Sequence, residues 1–420
     1  MIRLSNTHYA LVKRYARNAA LSFLAAQATA IATVVLIDEH RKRRSPQSGK
    51  FPRMAPRKTS VSTSDVTVYT YGEDLYEAQL EAIDNAQNHI YFETFIWKND
   101  EVGQRFRRAL INAARRGVKV HIIVDTWGNL TESPKFRRFP AIACLHAIRF
   151  PLIRPGIITG DARRKGRDHR KILCVDGQVG FVGGYNIGQL YAKKWRDTHV
   201  RITGEQVWEL ENAFVDMWNL YRNRKKQPSL PDTGAPTWAP TLRSIENTPA
   251  FNSYPIRAAY LDAINHASHK VWITMGYFIP DAGLRAALKA AAGRGVDVRI
   301  LIPQYSNHIV ADWVGRPQYQ DLLEAGVRIF LFEEAMVHAK TMTVDGIWST
   351  VGTANIDRLS MKGNFEINLE VFDDHLAAKM EEVFRIDLTN AHELTLAKWQ
   401  QRSALARLGE RILGPLGPLL

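Results

Sequence analysis

The sequence predicts an α/β protein of two similar lobes, each a mixed β-sheet flanked by helices and related to the other by pseudo-twofold symmetry. Three observations carry that expectation. Strand-like and helix-like segments alternate, the pattern of sheets covered by helices. The order helix, strand, helix, strand over residues 75–125 recurs over 256–302. A short polar motif occurs twice, 169 residues apart. The composition agrees: with 45% apolar and 23% charged residues in 420, a mainly disordered chain is excluded. Lys and Arg number 56 against 42 Asp and Glu, a net charge of +14, which points to nucleic acid, a membrane surface or a phosphorylated substrate. The two cysteines, Cys144 and Cys174, make neither a disulfide scaffold nor a Cys-x-x-Cys metal pattern.

Taken in order, the chain opens with a 20-residue stretch free of charge, Asn18 to Ile37. Its length matches a bilayer-crossing helix, but it is rich in Ala and has Gln27 in the middle. Three readings stay open: a transmembrane anchor, a signal peptide, and a helix packed on the soluble body. As an anchor it would leave the bulk of the protein in the cytoplasm. Arg41, Lys42, Arg43, Arg44, Lys50, Arg53 and Arg57 follow it, against Arg3, Lys13, Arg14 and Arg17 before it. The cluster Arg41 to Arg44 also suits anionic headgroups. Residues 45–64, rich in Ser, Pro, Thr and basic residues, read as a flexible linker. The expected division is 1–65 for this segment, 66–230 and 231–395 for the lobes, and 396–420 for an amphipathic tail.

In the first lobe Leu80, Ile83 and Ala86 mark a helix, His89–Trp97 a strand, and Arg116-Gly117 the stop of a second helix before the strand Val118–Val124. In the second, Leu261, Ile264 and Ala267 match the first helix at a constant offset of 181, and Arg294-Gly295 with the strand after it matches at 178. One such coincidence is common in α/β proteins. The same elements in the same order indicate a duplication.

The chemistry concentrates in the repeated motif. Lobe one has His169, Lys171, Asp176, Gly183 and Asn186; lobe two has His338, Lys340, Asp345, Gly352 and Asn355. Asp197 and Glu366 each lie 28 residues after their histidine. On a strand, residues two apart share a face, so each His and Lys project together. Asp176 and Asp345 have the opposite parity, which assigns them to hydrogen bonding where the strand meets its turn. A pseudo-twofold can bring both pairs to one seam. There Lys171, Lys340, Asn186 and Asn355 would surround a phosphate, one imidazole would attack phosphorus and the other protonate the leaving oxygen. Asp197 and Glu366 are suited to hold each ring through Nδ1. No metal and no other cofactor is required, because the lysines and asparagines supply the charge stabilisation. A single His-x-Lys carries no such meaning; two copies with the same downstream residues do.

These residues resemble the phospholipase D superfamily, whose signature is two H-x-K-x4-D motifs, over roughly residues 66–395. The stretches Arg167–Lys171, Val179–Ile187, Trp195–Val200, His338–Thr341 and Gly363–Asn368 are most similar to bacterial cardiolipin synthases of the phospholipase D type, and the C-terminal Pro418-Leu419-Leu420 is similar too. The resemblance implies a metal-independent, two-step phosphatidyl transfer through a covalent phosphohistidine. It implies anionic glycerophospholipid substrates at a membrane surface; neither nucleic acid nor an obligate protein partner is expected, and the basic excess after residues 18–37 places the active site on the cytoplasmic side. His169 is assigned as nucleophile and His338 as general acid. With water as acceptor the same site would be a phospholipase, and the superfamily also contains metal-independent nucleases. Two residues depart from the family pattern: Thr353 stands where Ser is frequent, and Leu359 where Arg is frequent.

Other features are expected to be accessory. Phe139–Gly160 reads as packing or as an apolar lip, and Arg163, Arg164, Lys165 and Arg167 as a basic loop. Leu405, Leu408 and Ile412 mark a helix that packs on lobe two or meets a membrane surface. Trp195 and Trp348 are assigned to packing, and Cys174 to the core.

Overall fold

The computed structural model describes residues 6–152, 166–237 and 239–419, with the side chains of 13–152, 166–237 and 239–417. The duplication is visible in how its helices end. In lobe one α2 (Gly72–Asn85) leads to β3 (His89–Thr94), and α3 (Glu101–Arg115) to β4 (Lys119–Asp125). Asp100 caps α3 by accepting from the Gly103 N–H. At its other end Gly117 takes the left-handed conformation, φ +96°. The Arg116 guanidinium then donates to the Ile83, Asp84 and Ala86 carbonyls at the end of α2. Lobe two repeats each device. Asp281 caps α8 (Ala282–Gly293), Gly295 has φ +88°, and Arg294 donates to the Ile264, Asn265 and Ala267 carbonyls of α7 (Pro255–His266).

Each lobe is an eight-stranded mixed sheet. The first contains β1 (Arg57–Val61), β2 (Ser64–Tyr69), β3, β4, β5 (Leu145–Phe150), β6 (Ile172–Val175), β7 (Val179–Gly183) and β9 (His199–Gly204), in the order β1-β2-β9-β7-β6-β3-β4-β5. The second contains β10 (Leu242–Asn247), β11 (Lys270–Met275), β12 (Asp297–Pro303), β13 (Arg328–Phe332), β15 (Lys340–Val344), β16 (Trp348–Gly352), β17 (Glu366–Phe372) and β18 (Ala391–Leu394), in the order β10-β17-β16-β15-β11-β12-β13-β18. In both, three parallel strands (β3, β4, β5 and β11, β12, β13) adjoin an antiparallel set that carries the motif (β6, β7, β9 and β15, β16, β17). Helices α6 (Val207–Tyr221) and α12 (Asp374–Leu388) pack behind the sheets, and one apolar core runs from Phe150, Val182 and Val200 into Val351, Phe365 and Ile367, which joins the lobes.

Several expectations change. Strand β1 falls within the stretch read as linker: the alternation Arg57-Lys58-Thr59-Ser60-Val61 pairs with β2 through a turn at Ser62, φ +55°. For Phe150 the packing reading holds over the lip: its ring is fully buried against Phe365. The rest of that lip from residue 153, and Arg163, Arg164 and Lys165, lie outside the described residues.

The N-terminal segment is one long helix, α1 (Asn6–Arg44). From Lys13 onward it is long and apolar enough to cross a membrane, and only 11% of its most apolar window is buried. It is attached to lobe two all the same. Val34 packs with Ile279, with Val314 of α9 (Ile309–Gly315) and with Leu413 of the tail helix α14 (Ala404–Leu413); the Gln27 amide donates to the Ile412 carbonyl. The tail thus packs on α1 and lobe two through Leu413 and presents Leu405 and Leu408 outward, 80% and 53% exposed.

Candidate active site

The two halves of the site are assembled by short cross-lobe ladders. β8 (Trp195–Arg196) runs parallel to β14 (Met336–Val337), and the His338 N–H donates to the Arg196 carbonyl at 2.7 Å. In the other half the His169 N–H donates to the Phe365 carbonyl at 3.0 Å. Each motif histidine is therefore tied by its own backbone to the segment of the opposite lobe that carries the acid. Buried ion pairs brace these junctions: Arg196 grips Asp387 at 2.7–2.8 Å, and Arg170 holds Glu93 of its own lobe and Glu246 of the other.

The result is a crossed pairing. The His169 Nδ1 lies 2.9 Å from Glu366, and the His338 Nδ1 lies 2.6 Å from Asp197. The equal 28-residue spacing had suggested one acid per histidine, and the structure draws that acid from the other lobe. Both carboxylates are buried. Burial opposes their ionisation, but Lys340 and His338 hold Asp197 below the usual range, and His169 and the Thr353 hydroxyl do the same for Glu366. An ionised acid on Nδ1 fixes the proton there and leaves Nε2 with its lone pair. Burial holds the imidazoles neutral against the pull of these acids: it pushes His169 down, and with the Lys340 charge it pushes His338 down to about 3.

Lys171 and Lys340 arch back so that each ammonium donates to the backbone carbonyl of its own motif histidine, Lys171 at 2.7 Å. Burial lowers Lys171 to about 8 and Lys340 to about 7. Lys340 acts on His169, Lys171 acts on His338, and both carboxylates act on both lysines, so the six groups share one electrostatic site. An anion arriving between the ammonium groups restores their full charge and raises the imidazoles.

The asparagines frame the site through backbone. The Asn186 side chain accepts from the Ile96 N–H at 3.2 Å, and that of Asn355 from the Tyr277 N–H at 3.3 Å. Asn355 lines the cavity above His169, whereas Asn186 does not line it and is buried, its backbone carbonyl accepting from the Tyr76 hydroxyl. Asp176 and Asp345, both left-handed at φ +54° and +53°, each accept from three successive backbone N–H groups, at 87–89 and 268–270. They hold the strand ends and do not reach the cavity.

Residues that sequence reasoning missed complete the site. Phe95 packs 5.0 Å from His169, and Trp195 and Tyr277 pack 5.0 and 5.8 Å from His338. Trp195 packs as expected, buried in the lobe-one core against Tyr191, and its ring also meets that of His338. Trp348 stays in the core, bonded to Glu370. The Thr353 hydroxyl donates to Glu366 at 2.6 Å, so the departure at this position keeps the carboxylate bonded. Lobe one has Gly184 in the equivalent place, where a Cβ would lie 2.1 Å from Asp197 Oδ1.

The cavity above His169 has a volume of about 620 Å³. Its walls include Tyr277 and Asn355 from lobe two, Leu359 at the mouth, and Val35, Asp38 and Lys42 of α1. The long apolar helix therefore ends at the entrance of the cavity above His169, with Lys42 paired to Asp38 at 2.8 Å and Arg41 stacked 3.8 Å from the Tyr305 ring.

A family profile described as cardiolipin synthase, PLD-like domain, matches residues 80–218 and again 260–388. The chain belongs to this phospholipase D-like cardiolipin synthase family. Its two matches fall on the two lobes. Among similar proteins, the cardiolipin synthase of Clostridium perfringens is 34% identical over 86% of this chain and 78% of its own length. The major cardiolipin synthase of Bacillus subtilis is 34% identical over 86% of this chain and 77% of its own. Among solved structures, a phosphatidylserine synthase of Haemophilus influenzae superposes with a TM-score of 0.65 at 14% identity, covering 90% of this chain and 96% of that one, and shows the shared two-lobed fold. The long apolar N-terminal helix is consistent with membrane anchoring of this cardiolipin synthase-type enzyme.

Proposed function

We propose that the chain forms cardiolipin from two phosphatidylglycerol molecules and releases glycerol, through a phosphatidyl group carried on His169. The observation that carries this reading is the pair of crossed His–carboxylate dyads on one electrostatic site with two buried lysines. His169 Nε2 attacks phosphorus, forms the N–P bond and breaks the P–O bond to glycerol. His338, charged through Nε2 once the bound phosphate has raised it, gives that proton to the glycerol oxygen. A hydroxyl of the second lipid then returns a proton to His338 and attacks phosphorus, and the N–P bond breaks. His169 is preferred as nucleophile because it opens on the cavity, with 12% of its side chain exposed against 5% for His338. Lys171 and Lys340 bear the phosphate charge, assisted by Asn355 and, from behind, Asn186. Asp197 and Glu366 orient the rings, while Asp176 and Asp345 are structural. Every acid–base and charge-stabilising role is filled by a side chain, so neither a metal nor another cofactor is assigned.

The two lobes, the first extended by β1 (Arg57–Val61) and β2 (Ser64–Tyr69), share the reaction. The N-terminal helix anchors it, with the basic run Arg41 to Arg44 supporting a cytoplasmic active site at an anionic membrane surface. No nucleic acid and no obligate protein partner is assigned. The full-length protein, incubated with phosphatidylglycerol vesicles in chelator, is expected to give cardiolipin and glycerol in equal amounts. Phosphatidic acid as main product would make it a hydrolase, and cleavage of single-stranded DNA without cardiolipin would make it a nuclease.

A further inference from the structure

A second cavity, of about 460 Å³, lies in lobe one beside the catalytic pocket and takes no part in the chemistry above. Its walls are apolar: Trp97, Phe136, Phe139, Leu145, Ala147 and Ile148. Its rim is cationic, with Arg107, Arg137, Arg138 and Arg149. Among the described residues none of these four forms an ion pair with a carboxylate. Two are committed to the loop: Arg107 donates to the Phe136 and Arg138 carbonyls, and Arg149 to the Arg137 carbonyl. The other two are spare. The Arg137 Nε is buried without a partner, and the Arg138 side chain is exposed at the edge. Among the described residues Asp125 is the one carboxylate in the wall, and it is occupied in accepting from the Trp127, Gly128 and Asp168 N–H groups.

We propose that this cavity binds an anionic phospholipid, with an acyl chain among the apolar walls and its phosphate on Arg137 and Arg138. The size falls within the range of pockets that enclose small ligands. Unpaired guanidinium groups at the mouth of an apolar cavity are complementary to an amphiphile with a charged end, and a forked guanidinium suits phosphate. Crowding points the same way: after burial, the like charges of Arg137 and Arg138 depress Arg149, and an anion would relieve both. A lipid is favoured over a soluble anion because α1 is mostly exposed and long and apolar enough to cross a bilayer. The site also adjoins the catalytic pocket. Thr126 and Asn129 of its wall bracket the turn whose Trp127 lines the cavity of His169. Occupancy would therefore brace one wall of the active site.

The test is labelling by phosphatidylglycerol with a diazirine at the end of one acyl chain, in phosphatidylcholine vesicles, using the full-length His169→Ala protein so that the probe is not consumed. The expected result is cross-linking within residues 134–150. Phosphatidylcholine carrying the same diazirine labels this segment about tenfold less or weaker still, the scale of one charge-assisted hydrogen bond. Arg137→Ala with Arg138→Ala reduces labelling by a similar factor, and Ala147→Trp fills the cavity and abolishes it. Arg138→Ala alone, at an exposed position, gives a partial loss in a protein whose folding is not at issue. Labelling absent from 134–150, equal with the two lipids, or unchanged in the arginine variants would overturn the proposal. So would its displacement by an equal concentration of soluble glycerol 3-phosphate. Because labelling is read without turnover, its failure would leave the assignment of cardiolipin synthesis untouched.

Discussion

Asp197→Asn is the perturbation that probes the crossed dyads most sharply. Asp197 is buried, with Oδ2 2.6 Å from His338 Nδ1 and Oδ1 accepting from the Thr198 N–H at 2.7 Å. Asparagine fits the same space, but the Thr198 N–H keeps the amide oxygen on its own side. The NH2 group must then face Nδ1, which becomes an acceptor, and the imidazole proton moves to Nε2. The ring also loses the anion that stabilises its charged form. Other histidine–carboxylate dyads lose about 10⁴-fold in kcat on this exchange, roughly 5 kcal/mol of barrier. We expect a loss of 10³- to 10⁴-fold here, read as cardiolipin formed from phosphatidylglycerol vesicles, with KM little changed and the thermal midpoint within a few degrees of the parent. Adding His338→Ala should lower the rate little further, since the two residues act as a unit. Retention of kcat within about tenfold of the parent would refute the dyad reasoning, since that is below the cost of a lost general acid.

Four further outcomes are expected. His169→Ala and His338→Ala each abolish transfer and leave the melting curve intact. Gly184→Ala abolishes transfer as well, because its Cβ would lie 2.1 Å from Asp197 Oδ1 and displace the carboxylate. In kcat/KM, which reports the free enzyme, activity falls as pH rises through about 7 to 8 because Lys340 and Lys171 lose the protons that bind the phosphodiester; kcat falls at higher pH, since bound phosphate raises both lysines. A variant without residues 1–44 leaves vesicles, and lobe two loses about 1.5–3 kcal/mol with the burial of Val34.

The repeat was legible because duplication preserves chemistry as well as pattern. Arg116 and Arg294 tie equivalent helix ends, and His169 and His338 precede equivalent strands, β6 and β15. The crossing of the dyads was not legible. Equal spacing from His169 to Asp197 and from His338 to Glu366 is compatible with pairing within a lobe or across the seam, and the choice is made by the ladders through Phe365 and Arg196, which are long-range contacts. Trp195 and Tyr277 were hidden for the same reason: an aromatic ring gains a role at the site from the histidine it meets, and that histidine belongs to another segment. Residues 57–61 looked like linker because an edge strand is half exposed and keeps polar side chains. The helix of residues 18–37 was legible as apolar, while its docking through Gln27 and Val34 was not, since both partners lie near the far end of the chain or in lobe two.

The central claim, that His169 carries the phosphatidyl group while His338 of the other lobe moves the proton, is tested most directly by quenching turnover in base and mapping the covalent adduct by peptide mass spectrometry. The account predicts one modified peptide, heavier by a phosphatidyl group, with the adduct on His169. Full turnover with no adduct, or an adduct on any residue other than His169, would contradict it.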